Sequence, residues 1–581
     1  MKYARLILCI ALCFALMLPV FAQSPQRLYI VSNGIPQAEI LRIVRLLASE
    51  FGCSVAYGTQ EFARDDDFVL VKKSSLPSEG YQITEDGTLY YADENGLMYG
   101  LRHMLRMGKL EAVCEAPDTR ERTLMLDCAR KYFSKDFICN LIRQMSWMGM
   151  NTLELHLTEE QGIRADIWDE KYFESENDFS WICGSQEAYW VYDCPDPDAG
   201  KYLTAEELLE IIAVAQQYRI QIIPSVDTPG HNEYLCKVFE AYVAQNPSYT
   251  FAYQGKTYQT DSIASNQYSV IDISSEAACA FVRSIMTDYA KFFASYGSTD
   301  FNICADEVSL DSAWASGSYS AYDVFVGYIN DTAKILQDMG YTVRAFNDFL
   351  CYRDAKISLD PNIEIVYWHT PYPSNAADAT DFVDQGRTIY NAIQNYSYYA
   401  LRVFNSPGNS SHPCWGMDAR DERNTWWAFS RATPERVFAE WDPSHMYEYT
   451  DKNKTIVSNS QLGGSYFLIW CDYAGLATEE EIWSGEYPLL QRLWAHCAKS
   501  WDWDAQDYEA WLDYYEYPNL EKCNEAPIMK KVSRVSDGNR LTTVQDVQSF
   551  LRFDKKAHDE AYRELLQTGK AVYGSFNRNF P

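Results

Sequence analysis

Phe301-Asn302-Ile303-Cys304-Ala305-Asp306-Glu307-Val308 reads as a strand that runs into two adjacent carboxylates. Phe301, Ile303 and Ala305 alternate with Asn302, Cys304 and Asp306, the two-residue period of a strand, and Gly297-Ser298 upstream supply a turn. An acid pair at the end of an apolar run is costly if buried and unpaired. Folds tolerate such a pair where it meets a ligand or moves protons. For an isolated Asp-Glu the plainer reading is a cap for the next helix, and the surroundings have to argue against it.

Working outward, strand-like runs recur at 124–127, 153–157, 221–225, 301–306, 342–347, 363–368, 388–391 and 466–470. Helices fall between several of them. Ser134 precedes Phe137, Ile138, Leu141, Ile142 and Met145 at helical spacing, and Thr204 with Glu207 forms a capping-box pattern. Eight strands alternating with helices predict a (β/α)8 TIM-type barrel, whose functional groups sit at the C-terminal ends of the strands. Arg130, His156, Asp227, Asp306, Glu307, Trp368, Trp470 and Asp472 all gather at those ends. Core packing alone does not produce that placement after so many strands.

The remaining chain frames this barrel. Residues 1–22 read as a signal peptide: Lys2 and Arg5, then an apolar run, then Val20-Phe21-Ala22 as a cleavage site. A secreted or extracytoplasmic protein is therefore expected, with no membrane insertion after cleavage. Residues 25–117 read as a small α/β domain with a hairpin at Asp86-Gly87, residues 120–504 as the barrel, and 505–581 as a mostly helical accessory segment. Within the barrel, 392–463 is a long aromatic insertion rich in Asn, Ser and Pro.

The net charge of −31 disfavours nucleic acid and anionic membrane surfaces as partners. Aromatics at 15%, including 43 Tyr and 16 Trp, suit surfaces that stack on sugar rings, although large cores use them too. The 16 cysteines have irregular spacing. Cys128, Cys304 and Cys471 sit in apolar runs and are expected as buried thiols, and Cys183 with Cys194 is the best candidate for a bridge. His156, His231 and His369 are scattered without a ligand-like spacing, so no metal and no cofactor are expected.

Ordinary retaining glycosidases place two carboxyl groups ~5 Å apart on facing strands, one as nucleophile. An adjacent pair on one strand better suits chemistry in which the substrate supplies the nucleophile. The sequence resembles glycoside hydrolase family 20, the β-N-acetylhexosaminidase and lacto-N-biosidase family. The resemblance rests on 124–130 (LMLDCAR), 150–158 (MNTLELHLT), 223–231 (IPSVDTPGH), 305–308 (ADEV) and 469–472 (IWCD), in the family's order across most of 120–500.

That resemblance implies roles. Glu307 would be the general acid/base, and Asp306 would hold the 2-acetamido group and stabilise the charge that develops on it. Tyr396 matches the tyrosine that bonds the acetamido oxygen, with Tyr398, two residues on, open for the same role. Arg130 and Asp472 would hold sugar hydroxyls, and Trp368 and Trp470 would wall the pocket. Asp227, His231 and His156 would support the catalytic groups from behind. The implied activity is removal of terminal β-linked N-acetylglucosamine or N-acetylgalactosamine from glycans through an oxazolinium intermediate. The alternatives are a lacto-N-biosidase releasing a disaccharide and a glycan-binding protein without turnover.

Three departures stand out. Glu159-Glu160 replaces the usual Asp-Asp, which puts a direct carboxylate role there in doubt. Phe346-Asn347-Asp348 lies where many members place a pocket tryptophan, and Ala305 stands at a position that is commonly glycine. The last two bear on substrate range.

Overall fold

The alternation closes on itself. In a computed structural model, eight parallel strands form a barrel: β1 (Glu121–Asp127), β2 (Thr152–His156), β3 (Gln221–Ser225), β4 (Asp300–Asn302), β5 (Thr342–Phe346), β6 (Glu364–Tyr367), β7 (Ile389–Asn391) and β8 (Leu462–Trp470). Each pairs with the next, and β8 pairs with both β7 and β1. Closure removes the unpaired edges an open sheet would expose. The structure describes residues 27–502, apart from 108–111, 187–195, 268, 349, 370–375, 406–410, 416–433, 448–453, 473 and 485–488. The expected leader, the 505–581 segment and Cys194 of the expected bridge lie outside the described residues.

Helices α1 (Lys135–Met148), α2 (Ala205–Gln217), α3 (Glu276–Ala294), α4 (Ala321–Asp338), α5 (Ala379–Asp384) and α6 (Leu489–Ser500) accompany the strands. Ser134 Oγ accepts from the Phe137 amide at 3.2 Å at the start of α1. Thr204 and Glu207 form the expected capping box on α2, an arrangement in which each side-chain cap contributes about 1 kcal/mol. Gly149 ends α1 at φ 86°, and a Cβ there would lie 2.7 Å from the Trp501 indole nitrogen. Among the described residues no helix is long and apolar enough to cross a membrane.

The barrel interior is polar at its N-terminal end and aromatic at the other. Below, the buried Arg344 guanidinium donates to Glu121, Asp300 and the Tyr466 hydroxyl. Glu154 accepts from Asn302 at 3.0 Å and from Tyr466 at 2.9 Å. Above, Met125, Phe346, Trp368, Tyr398, Leu468 and Trp470 belong to one buried cluster that also takes in Cys304. Cys128, Cys304 and Cys471 are buried free thiols.

A separate compact unit ends at Pro117, and the barrel unit begins at Asp118. The first unit carries a six-stranded sheet, with Ser54–Gly58, Arg27–Val31, Phe68–Lys72, Thr88–Tyr91, Tyr81–Ile83 and Val113–Glu115 in that order. Ala38–Phe51 and Glu94–Met107 are its helices. Its hairpin turns at Asp86-Gly87, where the Asp86 carboxylate accepts from the Thr88 amide.

One expectation is corrected. The fourth strand ends at Asn302 rather than at residue 306, and Cys304, Ala305 and Glu307 take left-handed backbone at φ 56°, 63° and 46°. Left-handed residues cannot continue a pleat, so a turn, not the strand's alternation, separates the directions of Asp306 and Glu307. Helix capping does not explain the pair either: the next α-helix starts at Ala321 with Ser320 as its cap.

Candidate active site

The acid pair sits where β4 gives way to this turn. Asp306 is 9% exposed, while the Glu307 side chain keeps 59% of its area open. The 227–231 loop after β3 packs directly behind. Gly230 permits the approach, since a Cβ there would lie 3.0 Å from the Asp306 carbonyl oxygen. His231, held at φ 50°, is brought between two sets of acids. Its Nδ1 lies 3.3 Å from Glu159 and 3.4 Å from Glu160, and its Nε2 3.6 Å from Glu307 and 3.9 Å from Asp306. At most of these separations charge attraction matters more than hydrogen bonding.

Arg130 follows β1. Its Nη1 reaches Asp127 at 3.1 Å and its Nη2 reaches Glu159 at 2.7 Å, and the guanidinium carbon lies 5.3 Å from the centre of the Trp470 ring. Asp127 also accepts from the Cys471 amide, which ties the ends of β1 and β8 together. His156, at the end of β2, meets Ser225 Oγ at 3.0 Å and sits edge-on to Trp470 with ring centres 5.3 Å apart. Asp472 is part-exposed just past β8 and adds its charge to the field at Arg130 and Glu307.

The charge states follow from these neighbours. Burial disfavours the His231 cation, but Glu159 and Glu160 outweigh it and hold the imidazole well above its usual range. Burial likewise opposes the Glu159 charge, yet Arg130 and His231 keep it well below the usual carboxylate range. Burial and the neighbouring Asp306 push Asp227 well above the usual carboxylate range, and the His231 cation pulls the other way but is outweighed. Glu307 is raised by enclosure in the barrel mouth and by Asp306, against the pull of His231.

Ligand-type atoms of Glu159, Glu160 and His231, of His156, Glu159 and Asp227, and of Asp227, Cys304 and Asp306 each lie within 4.8 Å of one another. The first two groups share Glu159, whose charge is already matched by Arg130 and His231. In the third, burial pushes the Cys304 thiol well up, and a metal would have to displace that proton.

The aromatic wall is built from three strands. Trp368 follows β6 and Trp470 ends β8. β8 outruns β7, and its last three residues pair with the start of the strand Tyr398–Asn405, matching Tyr398 to Leu468. Tyr398 thereby stacks on Trp368 with ring centres 6.1 Å apart and leans on Trp470 at 6.1 Å. Its hydroxyl feels the charges of Asp306, Asp348 and Glu307, which, after burial, keep it protonated. Tyr396 lies elsewhere: it donates to Glu440 and accepts from Arg436, both at 3.2 Å. Of the two tyrosines, the structure brings Tyr398 to the acid pair.

Two more residues join that the sequence reading did not place in the site. Glu159, noted only as a departure, bridges Arg130 and His231 directly. Asp348, buried after β5, accepts from the Glu307 amide at 2.7 Å and from the Trp368 indole nitrogen. Its signal was available: Asn347-Asp348 follows an apolar strand just as Asp306-Glu307 does.

Comparison with known proteins covers this whole region. Residues 121–502 match the catalytic domain of glycosyl hydrolase family 20. A β-hexosaminidase of Vibrio vulnificus is 23% identical over 546 residues, covering 83% of this chain and 60% of the relative. A lacto-N-biosidase of Bifidobacterium bifidum is 24% identical over 371 residues, covering 58% of this chain and 29% of the relative. The chain thus spans less than two thirds of the length of these relatives. Among solved structures, a β-N-acetylhexosaminidase of Bacteroides fragilis superposes with a TM-score of 0.59 at 17% identity, covering 88% of this chain and 96% of that one. That likeness concerns the fold.

Proposed function

Because the chain belongs to glycosyl hydrolase family 20, we propose that it is an exo-acting β-N-acetylhexosaminidase that removes terminal N-acetylglucosamine or N-acetylgalactosamine with retention of configuration. The observation that carries this reading is the contrast within the acid pair: Asp306 is buried beside Asp227, whose carboxyl is pushed well up, while Glu307 is open to the barrel mouth with its carboxyl raised. One acid is placed to stabilise charge, the other to give up a proton.

In this mechanism the sugar lies against Trp470 and Trp368, with its 2-acetamido group turned inward to Asp306 and Tyr398. The acetamido oxygen attacks the anomeric carbon as Glu307 protonates the departing glycosidic oxygen. The positive charge on the resulting oxazolinium ring resides largely at nitrogen, where Asp306 stabilises it in a water-poor site. Glu307, now a carboxylate, takes a proton from the incoming water, which opens the ring at the same carbon. Arg130, neutralised on one side by Asp127 and Glu159, and Asp472 hold the ring hydroxyls.

The decisive experiment compares p-nitrophenyl β-N-acetylglucosaminide, β-N-acetylgalactosaminide, β-lacto-N-bioside and β-glucoside. Hydrolysis of the acetamido sugars with an inert β-glucoside is the expected result, and preference for the β-lacto-N-bioside would shift the assignment to a disaccharide-releasing enzyme. A thiazoline mimic of the cyclic intermediate should inhibit competitively and more tightly than substrate binds. Trapping a glycosyl ester on Asp306 or on any other carboxylate would refute the substrate-assisted route.

A further inference from the structure

Glu307 has an unusual support. It is a non-glycine residue in left-handed backbone at φ 46°, a conformation that costs about 1 kcal/mol or more when nothing holds it. Among the described residues its side chain makes no hydrogen bond; its nearest cation is His231 Nε2 at 3.6 Å. The direction of its carboxyl is therefore set by its backbone, and that backbone is anchored through its amide, which donates to Asp348 Oδ2 at 2.7 Å.

The other oxygen of the same carboxyl accepts from the Trp368 indole nitrogen. Asn347 repeats the pattern alongside, accepting from the Trp368 amide at 2.9 Å and donating to the His369 carbonyl at 2.8 Å. Asp348 is 2% exposed, and burial together with Asp306 and Glu307 pushes its carboxyl well up. A fold that needed only to cap one amide would do so at lower electrostatic cost with asparagine. Here the two N–H donors go to separate oxygens, Oδ2 and Oδ1, and an asparagine in the same place would present its NH2 to one of them.

We propose that Asp348 is a positioning residue that fixes Glu307 and the Trp368 wall relative to one another, so that the proton of Glu307 meets the leaving oxygen of a sugar seated on that wall. This rests on the function proposed above. Proton donation matters most when the leaving group is a poor one, and the test uses that. In Asp348→Asn, kcat/KM for an N-acetyl-β-glucosaminyl disaccharide should fall about 10–100-fold, the scale of a misplaced catalytic group. With the 2,4-dinitrophenyl glycoside, which departs without help, it should change less than about 3-fold. Trp368→Phe, which breaks only the indole half of the link, should raise KM for both substrates alike.

An equal loss on both substrates, or a disaccharide rate within about 2-fold of wild type, would overturn the proposal. Should Asp348→Asn not fold, Asp348→Ser, which keeps one acceptor and loses the other, is read by the same comparison. A wild-type protein inert toward both acetamido glycosides would instead refute the proposed function, leaving the two failures distinct.

Discussion

The two ends of the barrel spend buried charge in opposite ways. At the N-terminal end Arg344 makes four hydrogen bonds of 2.6–2.9 Å to Glu121, Asp300 and Tyr466, and Glu154 has a donor on each oxygen. At the C-terminal end Asp227 Oδ1 and Asp306 Oδ1 are buried without a hydrogen-bond partner, and three residues of the 304–307 turn are left-handed. The first end is nearly satisfied: its unmet donor, Arg344 Nε, faces the Glu364 carboxylate at 3.8 Å. The other keeps unmet acceptors where a substrate would supply donors. The difference teaches that polarity inside a barrel is not in itself a sign of function; unfinished polarity is.

The largest expected effect comes from emptying the unfinished end of its proton. Glu307→Gln should lower kcat on an unactivated disaccharide by ~10²–10⁴-fold, the usual contribution of a general acid, and leave the melting temperature unchanged or raised. Steady-state kinetics beside thermal denaturation tests both halves. A large loss of stability with activity retained would reverse the comparison.

Breaking the satisfied end should do the converse. Arg344→Met strands Glu121 and Asp300 with too few donors and should cost about 3–5 kcal/mol in unfolding free energy. The protein that remains folded at low temperature should keep a near wild-type kcat. Urea unfolding together with kcat at low temperature measures this.

A third site sharpens the comparison by pH. His496 on α6 is buried, stacked on Trp441 at 4.1 Å, and burial lowers it from 6.5 to about 3. A folded-state value below the unfolded one means the contribution is complete above pH 6.5. It is lost as pH falls from there toward 3, by about 1.4 kcal/mol per pH unit. His496→Phe should flatten that part of the stability profile without touching either end of the barrel. Parallel profiles for the two proteins below pH 6 would contradict this.

The smallest effect concerns the turn itself. Ala305→Gly relieves left-handed strain but frees the unfolded chain, so the net gain should be no more than about 1 kcal/mol. A loss of stability in denaturant unfolding would show that Ala305 is held by its packing rather than strained.

Much of this was legible in the sequence because barrels announce themselves by repetition. Eight apolar runs with polar residues after them fixed the architecture, and the capping pattern at Thr204 predicted its own hydrogen bonds. The acid pair was found for the same reason. What was not legible depended on backbone that side-chain patterns do not encode. Cys304 and Ala305 read as pleated strand because their side chains alternate, yet their φ values turn the chain. Tyr396 and Tyr398 are equivalent by spacing, and only the overrun of β8, which pairs with residue 398, separates them. Glu159 and Asp348 were visible as letters, but nothing local tells which buried acid finds a guanidinium and which finds an amide.

That overrun has a thermodynamic consequence. β8 is hydrogen-bonded to β7 and β1 through the barrel and to Tyr398–Asn405 above it, so Trp470 and Tyr398 stand on a common lattice before any sugar arrives. Binding against them should order little chain and freeze few rotors. In a calorimeter it should then appear as a negative heat-capacity change set by the apolar ring area covered, without the larger entropic penalty of a wall that has to assemble around its ligand.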